Sequence, residues 1–148
     1  MSQWKANVTV ASIVERQGQF LIVEEHTSDG LRFNQPAGHW EFGETLLEAV
    51  VRETREETGW LVEPESLVGI YSGPKGDGSD IVYLRFAFVC RALSHQEGPL
   101  DAGIVAAHWR TLDEIQAQAD RHRSPLVMRC FQDYVQGQRF PLNVLLHL

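Results

Sequence analysis

The sequence predicts an α/β fold in which a mixed β-sheet is flanked by helices. Stretches rich in β-branched residues outnumber helical ones, and the helices are interspersed among the strands along the chain. The 148 residues are enough to bury a core, and they contain no internal repeat, low-complexity tract or linker. We therefore expect a single domain over residues 1–148.

Two strands are predicted near the N-terminus. Residues 7–15 are rich in β-branched side chains, and residues 19–24 form a second apolar run after a turn at residues 16–18. The short connection favours antiparallel pairing between these two strands. Loop composition at residues 27–30, together with a proline and glycines in residues 33–43, predicts irregular backbone up to the first helix.

The strongest helical pattern covers residues 46–58. Thr45 can cap this helix, Glu48 has the capping-box spacing, and Gly59 can take the left-handed position after the last turn. On a helical wheel, one side forms a stripe that we expect to be buried. The stripe consists of Leu46, Leu47, Val50, Val51, Thr54 and Thr58.

The C-terminal half is predicted to contain three strands and two helices. Residues 67–72, 81–92 and 106–110 have strand composition, and polar loops at residues 73–80 and 94–103 separate them. Thr111 and Glu114 have the spacing of a second capping box. Ser124 and Pro125 begin a third helix, which should stop near Gly137.

Composition limits the partners and the compartment. A net charge of −7 argues against sequence-independent nucleic-acid binding, which needs a basic surface. No apolar run approaches the roughly 18 residues of a membrane span, and the first seven residues lack the pattern of a secretory signal. We therefore expect a cytoplasmic protein with reduced cysteines at positions 90 and 130, whose oligomeric state the sequence leaves open.

Three carboxylates cluster on the polar side of the first predicted helix. Glu53, Glu56 and Glu57 are spaced i, i+3 and i+4, so they are neighbours within about 100° of the helix surface. Their mutual repulsion would become attraction around Mg²⁺ or Mn²⁺, which take oxygen ligands. Arg52 and Arg55 could also relieve it, and an ordinary solvated acidic face is the alternative interpretation of these three residues alone.

The surrounding segment resembles the Nudix box, G-x5-E-x7-R-E-U-x-E-E-x-G-U, where U is an apolar residue. A chance match to its seven fixed positions is on the order of 10⁻⁹ to 10⁻⁸ per window. Thr54 and Trp60 depart from the usual U residues and are interpreted as packing variations, and Phe42 stands where many members have proline. The fixed positions are occupied by Gly38, Glu44, Arg52, Glu53, Glu56, Glu57 and Gly59.

The resemblance implies an α/β/α sandwich with a mixed sheet, and a hydrolase that cleaves phosphoanhydride bonds of a small organic diphosphate or triphosphate. Glu53, Glu56 and Glu57 match the metal-binding glutamates, and the backbone carbonyl of Gly38 can join them. Glu44 and Arg52 match positions that orient this cluster. A divalent ion there would neutralise phosphate charge and make hydroxide available near neutral pH for attack on phosphorus.

The general base is left open by the resemblance. Glu53 or Glu56 could serve, but family members sometimes place the base on a later loop. Glu97 and Asp101 lie in such a loop here, and the alternative is that each is a plain surface carboxylate.

Three further segments resemble one bacterial Nudix subfamily, which acts on nucleoside di- and triphosphates and on thiamine-pathway pyrophosphates. They are F-N-Q-P-A-G-H-W-E at residues 33–41, L-R-F at 84–86 and R-S-P-L-V at 123–127. Aromatic side chains could stack on a flat ring and cations could reach a phosphate. The candidate substrate contacts are Arg32, Phe33, Trp40, Lys75 and Arg85.

Each substrate candidate has an alternative. Phe33 and Trp40 could simply pack in the core or a loop, and Lys75 could simply be exposed. Arg85 lies in an apolar strand and needs a polar partner, which either the protein or the substrate could supply. The competing class for the whole chain is a non-catalytic Nudix fold that only binds a nucleotide or a partner protein.

Overall fold

The computed structural model describes residues 2–148 as two four-stranded sheets with helices packed against them. The strands are β1 (Asn7–Ile13), β2 (Glu15–Arg16), β3 (Gln19–Thr27), β4 (Gly30–Asn34), β5 (Ala37–His39), β6 (Trp60–Pro74), β7 (Val82–His95) and β8 (Ile104–Arg110). The helices are α1 (Leu46–Thr58), α2 (Leu112–Ala117) and α3 (Pro125–Val135), with 3₁₀ turns at Ala119–Arg121 and Leu142–Val144.

The first sheet has the order β5-β1-β7-β6 and is mixed, as predicted. Strand β1 runs parallel to β7 and antiparallel to β5, and β6 and β7 form an antiparallel hairpin. The second sheet is antiparallel, with β3 pairing with β2, β4 and β8.

The predicted antiparallel pairing of the first two strands is wrong, because β1 and β3 belong to different sheets. Strands β5 and β7 occupy both edges of β1, so β1 has no edge left for β3. Glu15, predicted as the end of the first strand, and Arg16, predicted as the start of the turn, instead form the separate strand β2, which pairs with β3.

Helices cover both faces of the first sheet. Along β1 and β7, Ile13 and Ala87 contact one apolar cluster, whereas Val10 and Phe88 contact the other. This alternation follows from the two-residue period of a strand. The first cluster includes Ile115 of α2 and Phe131 of α3, and the second includes Val50 of α1. The structure therefore confirms the predicted α/β/α arrangement.

Several strands are longer than their composition suggested. The hairpin of β6 and β7 closes on a loop at residues 75–81, and β6 begins 7 residues before the predicted strand at residue 67. Pro64 is accommodated because β6 is an edge strand whose register shifts at this point. Part of the segment predicted to be irregular, residues 33–43, belongs to β4 and β5.

The predicted helix starts are confirmed at atomic level. Thr45 and Glu48 form the reciprocal capping box of α1, and Thr111 and Glu114 form that of α2. Ser124 caps α3, which ends at Val135. Within residues 2–148, no helix has both the length and the apolar character needed to cross a bilayer.

Candidate active site

Strand β5 and the loop after it lie against α1, and this packing buries two of the three glutamates. Glu53 and Glu57 are only 8% and 7% exposed, whereas Glu56 is more open. The helical wheel separated the glutamates from a buried stripe, and the structure corrects this: Leu46, Leu47 and Val51 are only partly buried, while Glu53 and Glu57 join the buried face. A wheel describes one helix and contains no information about β5.

Burial changes the pKa of the Glu57 carboxyl group. Its Oε1 accepts a hydrogen bond of 2.9 Å from the backbone N–H of Ala37. Burial is the main cause of a rise in the pKa of Glu57 to about 9; the charges of Glu25, Glu53 and Asp101 act in the same direction, and the hydrogen bond from Ala37 acts against it. Burial likewise raises the pKa of Glu53. Holding both groups ionised therefore requires positive charge close by.

Gly38 lies directly against the Glu53 carboxylate. A Cβ at this position would fall within 3.0 Å of three Glu53 side-chain atoms, a separation that real Cβ atoms essentially never show. Gly38 is held in place by antiparallel pairing with Val10 of β1. The backbone therefore approaches the carboxylate more closely than any residue with a side chain would allow.

Arg52 connects the carboxylates of the box. It donates two hydrogen bonds to Glu44, at 2.9 and 2.7 Å, and bonds of 2.8 Å to Glu53 and 3.2 Å to Glu56. It also donates to the carbonyl of His39 at 3.0 Å. The hydrogen bonds raise the pKa of Arg52, and the Arg52 guanidinium lowers the pKa of Glu44. Arg52 and Glu44 thus form a doubly hydrogen-bonded ion pair that also contacts the Glu53 carboxylate.

A later loop brings a fourth carboxylate to the helix. The backbone N–H of Asp101 donates to the carbonyl of Glu56 at 3.0 Å. One oxygen from each of Glu53, Glu56 and Asp101 lies within 4.8 Å of the others. Glu97, the other loop carboxylate considered from the sequence, is exposed and does not belong to this group.

The donor atoms fit a hard divalent ion. Carboxylate oxygens suit Mg²⁺, Mn²⁺ and Ca²⁺, whereas a zinc site would normally contain cysteine or histidine. The three oxygens come from helix α1 and the later loop, and a backbone hydrogen bond between Asp101 and Glu56 joins these two segments. A bound cation would also offset the cost of ionising the buried Glu53 and Glu57.

The aromatic substrate candidates differ in exposure. Phe33 is 7% exposed in the apolar core, with the Arg121 guanidinium 4.9 Å from its ring centroid. Trp40 is 44% exposed, and its indole N–H donates to the carbonyl of Glu44 at 2.7 Å. Trp40 is therefore held within the box, between Gly38 and Glu44, and part of its ring is open to solvent. Phe33 packs in the core, which was the alternative interpretation for it.

The three cationic substrate candidates lie in different surroundings. Arg85 is buried and donates to the side-chain oxygens of Gln35 and Asn34, so the protein itself supplies its polar partners. Lys75 lies on the loop at residues 75–81, at 3.5 Å from Asp77. Arg32 lies directly opposite Glu25 in the β3–β4 pair.

Two charged residues near the site were not singled out as candidates from the sequence. Glu25 is 9% exposed on β3 and forms an ion pair of 2.6 Å with Arg123. The sequence did contain an indication for Glu25, because it follows an apolar strand and a buried carboxylate needs a charged or polar partner. Arg123 begins the segment at residues 123–127 that resembles the bacterial subfamily, but the sequence did not indicate its pairing with Glu25, which is 98 residues away.

Comparisons with known proteins agree with this geometry. The family model of the NUDIX domain matches residues 4–130. Phosphatase NudJ of Escherichia coli strain K12 is 37% identical over 142 residues, which are 96% of this chain and 92% of that protein. A solved NUDIX hydrolase from Nitrosomonas europaea is 44% identical, covers 97% of this chain and 98% of its own, and superposes with a TM-score of 0.94. The NUDIX domain of Shewanella oneidensis NrtR, complexed with ADP ribose, shares the fold with a TM-score of 0.69 at 15% identity and 90% coverage of each chain.

Proposed function

The chain belongs to the Nudix hydrolase family, and we propose that it uses a divalent ion to hydrolyse a phosphoanhydride bond in a nucleoside di- or triphosphate or a thiamine-type pyrophosphate. The observation that carries the proposal is the meeting of Glu53, Glu56 and Asp101 oxygens within 4.8 Å. All seven fixed residues of the box are present, so the chain has what a catalyst needs and a non-catalytic binding module is disfavoured.

The proposed metal ligands are Glu53, Glu56 and Glu57, with the carbonyl of Gly38. Mg²⁺ is the expected ion and Mn²⁺ a substitute, since both prefer oxygen donors. When bound, the ion supplies neutralisation of phosphate charge and acidification of water. Proton acceptance and orientation of the carboxylates are assigned to side chains of the protein.

Asp101 is the proposed loop carboxylate of the site. It reaches the Glu53 and Glu56 carboxylates, so it can accept a proton from water positioned for attack on phosphorus. Glu97 is outside this group, which supports assigning it to the protein surface. Asp101→Asn should lower kcat by about 100-fold or more, whereas Glu97→Gln should stay within about twofold of the parent.

Arg52 and Glu44 are proposed to orient the cluster. Two parallel hydrogen bonds, from Nε and Nη2 of Arg52, fix the guanidinium on Glu44. Its remaining nitrogen, Nη1, donates to Glu53 and Glu56. A lysine could not reproduce this geometry, because its ammonium is a point charge without the planar fork. Arg52→Lys should therefore lower kcat although it conserves charge.

Likeness to Phosphatase NudJ, at 37% identity over most of both chains, supports a phosphatase, and the proposed substrate class follows from the subfamily resemblance of residues 33–41, 84–86 and 123–127. Trp40, exposed within the box, is the better placed of the two aromatic candidates for stacking on a base or a thiamine ring. Arg32 is the proposed cationic contact from β4. Stacking needs only a flat ring, so discrimination among bases should be weak.

The test is turnover of a panel of nucleoside di- and triphosphates and thiamine pyrophosphate, with products separated by chromatography. Excess chelator should abolish turnover, and adding Mg²⁺ or Mn²⁺ should restore it. Full activity in metal-free buffer would refute the metal-dependent mechanism. Activity confined to ADP-ribose or dinucleoside polyphosphates would refute the substrate assignment alone.

A further inference from the structure

A polyphosphate that approaches this site meets predominantly negative side chains. Of the two cations in the box, Arg52 is already committed to Glu44 and Glu53, and Arg55 donates to the side-chain oxygen of Gln96 at 3.2 Å. Arg85 is buried among amide oxygens, and Lys75 is paired with Asp77. A phosphate that the divalent ion does not hold therefore needs another positive group, and a guanidinium is the side chain best shaped for it.

Arg123 is a guanidinium held in a fixed but accessible position. It lies between the 3₁₀ turn and α3, and its backbone N–H donates to the carbonyl of Phe33 at 2.8 Å. Its Nη1 donates to Oε1 of Glu25 at 2.6 Å. The Glu25 side chain is 12% exposed and that of Arg123 is 47% exposed. Within residues 2–148 this is the guanidinium's one hydrogen bond, so most of its five N–H donors remain available.

Glu25 lies on the side of its sheet that faces α1. Side chains alternate along β3, so Glu25 shares a face with Leu21, which packs in the same apolar cluster as Val50 of α1. Arg32 is directly opposite Glu25 on β4 and therefore shares that face. The carbonyl of Phe33 accepts from the backbone N–H of Arg123, and four residues further along, the N–H of Ala37 donates to Oε1 of Glu57 at 2.9 Å, so one short segment connects the pair to the metal-binding side chains.

The geometry points to Arg123 as a phosphate-binding residue of the site, with Glu25 as the positioning residue that holds its guanidinium. This inference rests on the proposed function, because it assigns Arg123 to a substrate phosphate. The buried carboxylate fixes one edge of the guanidinium, and the exposed edge presents parallel donors to two phosphate oxygens. Arg32, on the same face, would share the charge of the same polyphosphate.

The experiment compares Arg123→Gln, Arg123→Lys, Glu25→Gln and the Arg123→Gln/Glu25→Gln double variant with the parent. Arg91→Gln is the matched control, because Arg91 forms an exposed ion pair of 2.9 Å with Glu63. Three quantities are measured: KM and kcat for a nucleoside triphosphate, binding of inorganic pyrophosphate in the presence of Ca²⁺, and binding of Mn²⁺ alone.

Arg123→Gln should raise KM and weaken pyrophosphate binding by about 10- to 100-fold, the effect of losing hydrogen bonds to a charged group. Mn²⁺ binding and the melting temperature should stay near those of the parent, and Arg123→Lys should recover part of the affinity. Glu25→Gln should have a smaller effect that disappears in the double variant, because Glu25 acts through Arg123.

Unchanged KM and unchanged pyrophosphate affinity in Arg123→Gln would overturn the inference. So would a parallel loss of Mn²⁺ binding and thermal stability, which would show that the pair is only a structural brace between β3 and α3. If the parent hydrolyses no member of the nucleotide panel, the proposed function fails, yet the pyrophosphate measurement still decides the role of Arg123. Failure of the parent to bind pyrophosphate would overturn that role too.

Discussion

Replacing Gly38 by alanine tests the close packing on which the proposed metal site depends. The added methyl group would fall within 3.0 Å of three Glu53 side-chain atoms, and ordinary van der Waals contact begins at 3.4 Å. Gly38 is anchored by pairing with Val10 of β1, and Glu53 lies in the middle of a capped helix. Relief must therefore come mainly from rotation of the Glu53 side chain away from Gly38.

To reach ordinary contact at 3.4 Å, the nearest Glu53 atom must retreat by about 1.3 Å, and a misplacement of about 1 Å at a reacting centre already costs about 100-fold in rate. Metal coordination tolerates only about 0.2 Å. We expect kcat/KM of Gly38→Ala to fall by about 100-fold or more, which corresponds to about 2.7 kcal/mol of lost transition-state stabilisation. Rotation of Glu53 would also break its hydrogen bond with Arg52.

The assay is steady-state kinetics with Mg²⁺, together with titration of Mn²⁺ and a thermal melt of the metal-free protein. Gly73→Ala is the control, because a Cβ at Gly73 meets nothing within 4 Å and its backbone is not in the left-handed region. The reasoning fails if Gly38→Ala keeps kcat/KM and Mn²⁺ affinity within about threefold of the parent. A folded protein with weakened Mn²⁺ binding is the expected result.

Three further outcomes follow from the same site. Glu56→Gln and Glu57→Gln should each lower kcat by orders of magnitude without unfolding the chain, since the amide oxygen introduced by Glu57→Gln can still accept the Ala37 N–H; Glu63→Gln, which removes only an exposed ion pair with Arg91, should be nearly neutral. Because burial raises the pKa of Glu57 to about 9, its contribution to the stability of the metal-free protein is present below about pH 4.5 and lost as pH rises towards 9. Since the ion needs the ionised carboxylate, the rise in melting temperature caused by Mg²⁺ should be larger at about pH 8.5 than at about pH 6.5, and Glu57→Gln should flatten that difference. In the substrate panel, kcat/KM should vary about tenfold among adenine, guanine, cytosine and uracil nucleotides, and a preference above about 10⁴-fold for one of them would contradict a site that relies on stacking.

The sequence by itself was sufficient for features that depend on local spacing. The box is defined by residues close together along the chain, and the i, i+3, i+4 pattern of Glu53, Glu56 and Glu57 places them together on any helix. The capping boxes at Thr45 and Thr111 formed as predicted, because each requires only contacts across three residues. Even the Thr54 hydroxyl bonds to the carbonyl of Val50, as its position in a helix suggests.

Tertiary structure alone decided which distant residues meet. Composition could not show that β1 pairs with β5 and β7 and leaves β3 to the other sheet, because many pairings satisfy the same pattern of apolar residues. The choice of Asp101 over Glu97 depends on a backbone hydrogen bond to Glu56 across the fold. Glu25 and Arg123 are joined across 98 residues by the folding of β3 against the turn before α3. Local patterns specify contacts whose geometry the helix fixes in advance, whereas these contacts exist only after the whole chain has closed its loops around the core.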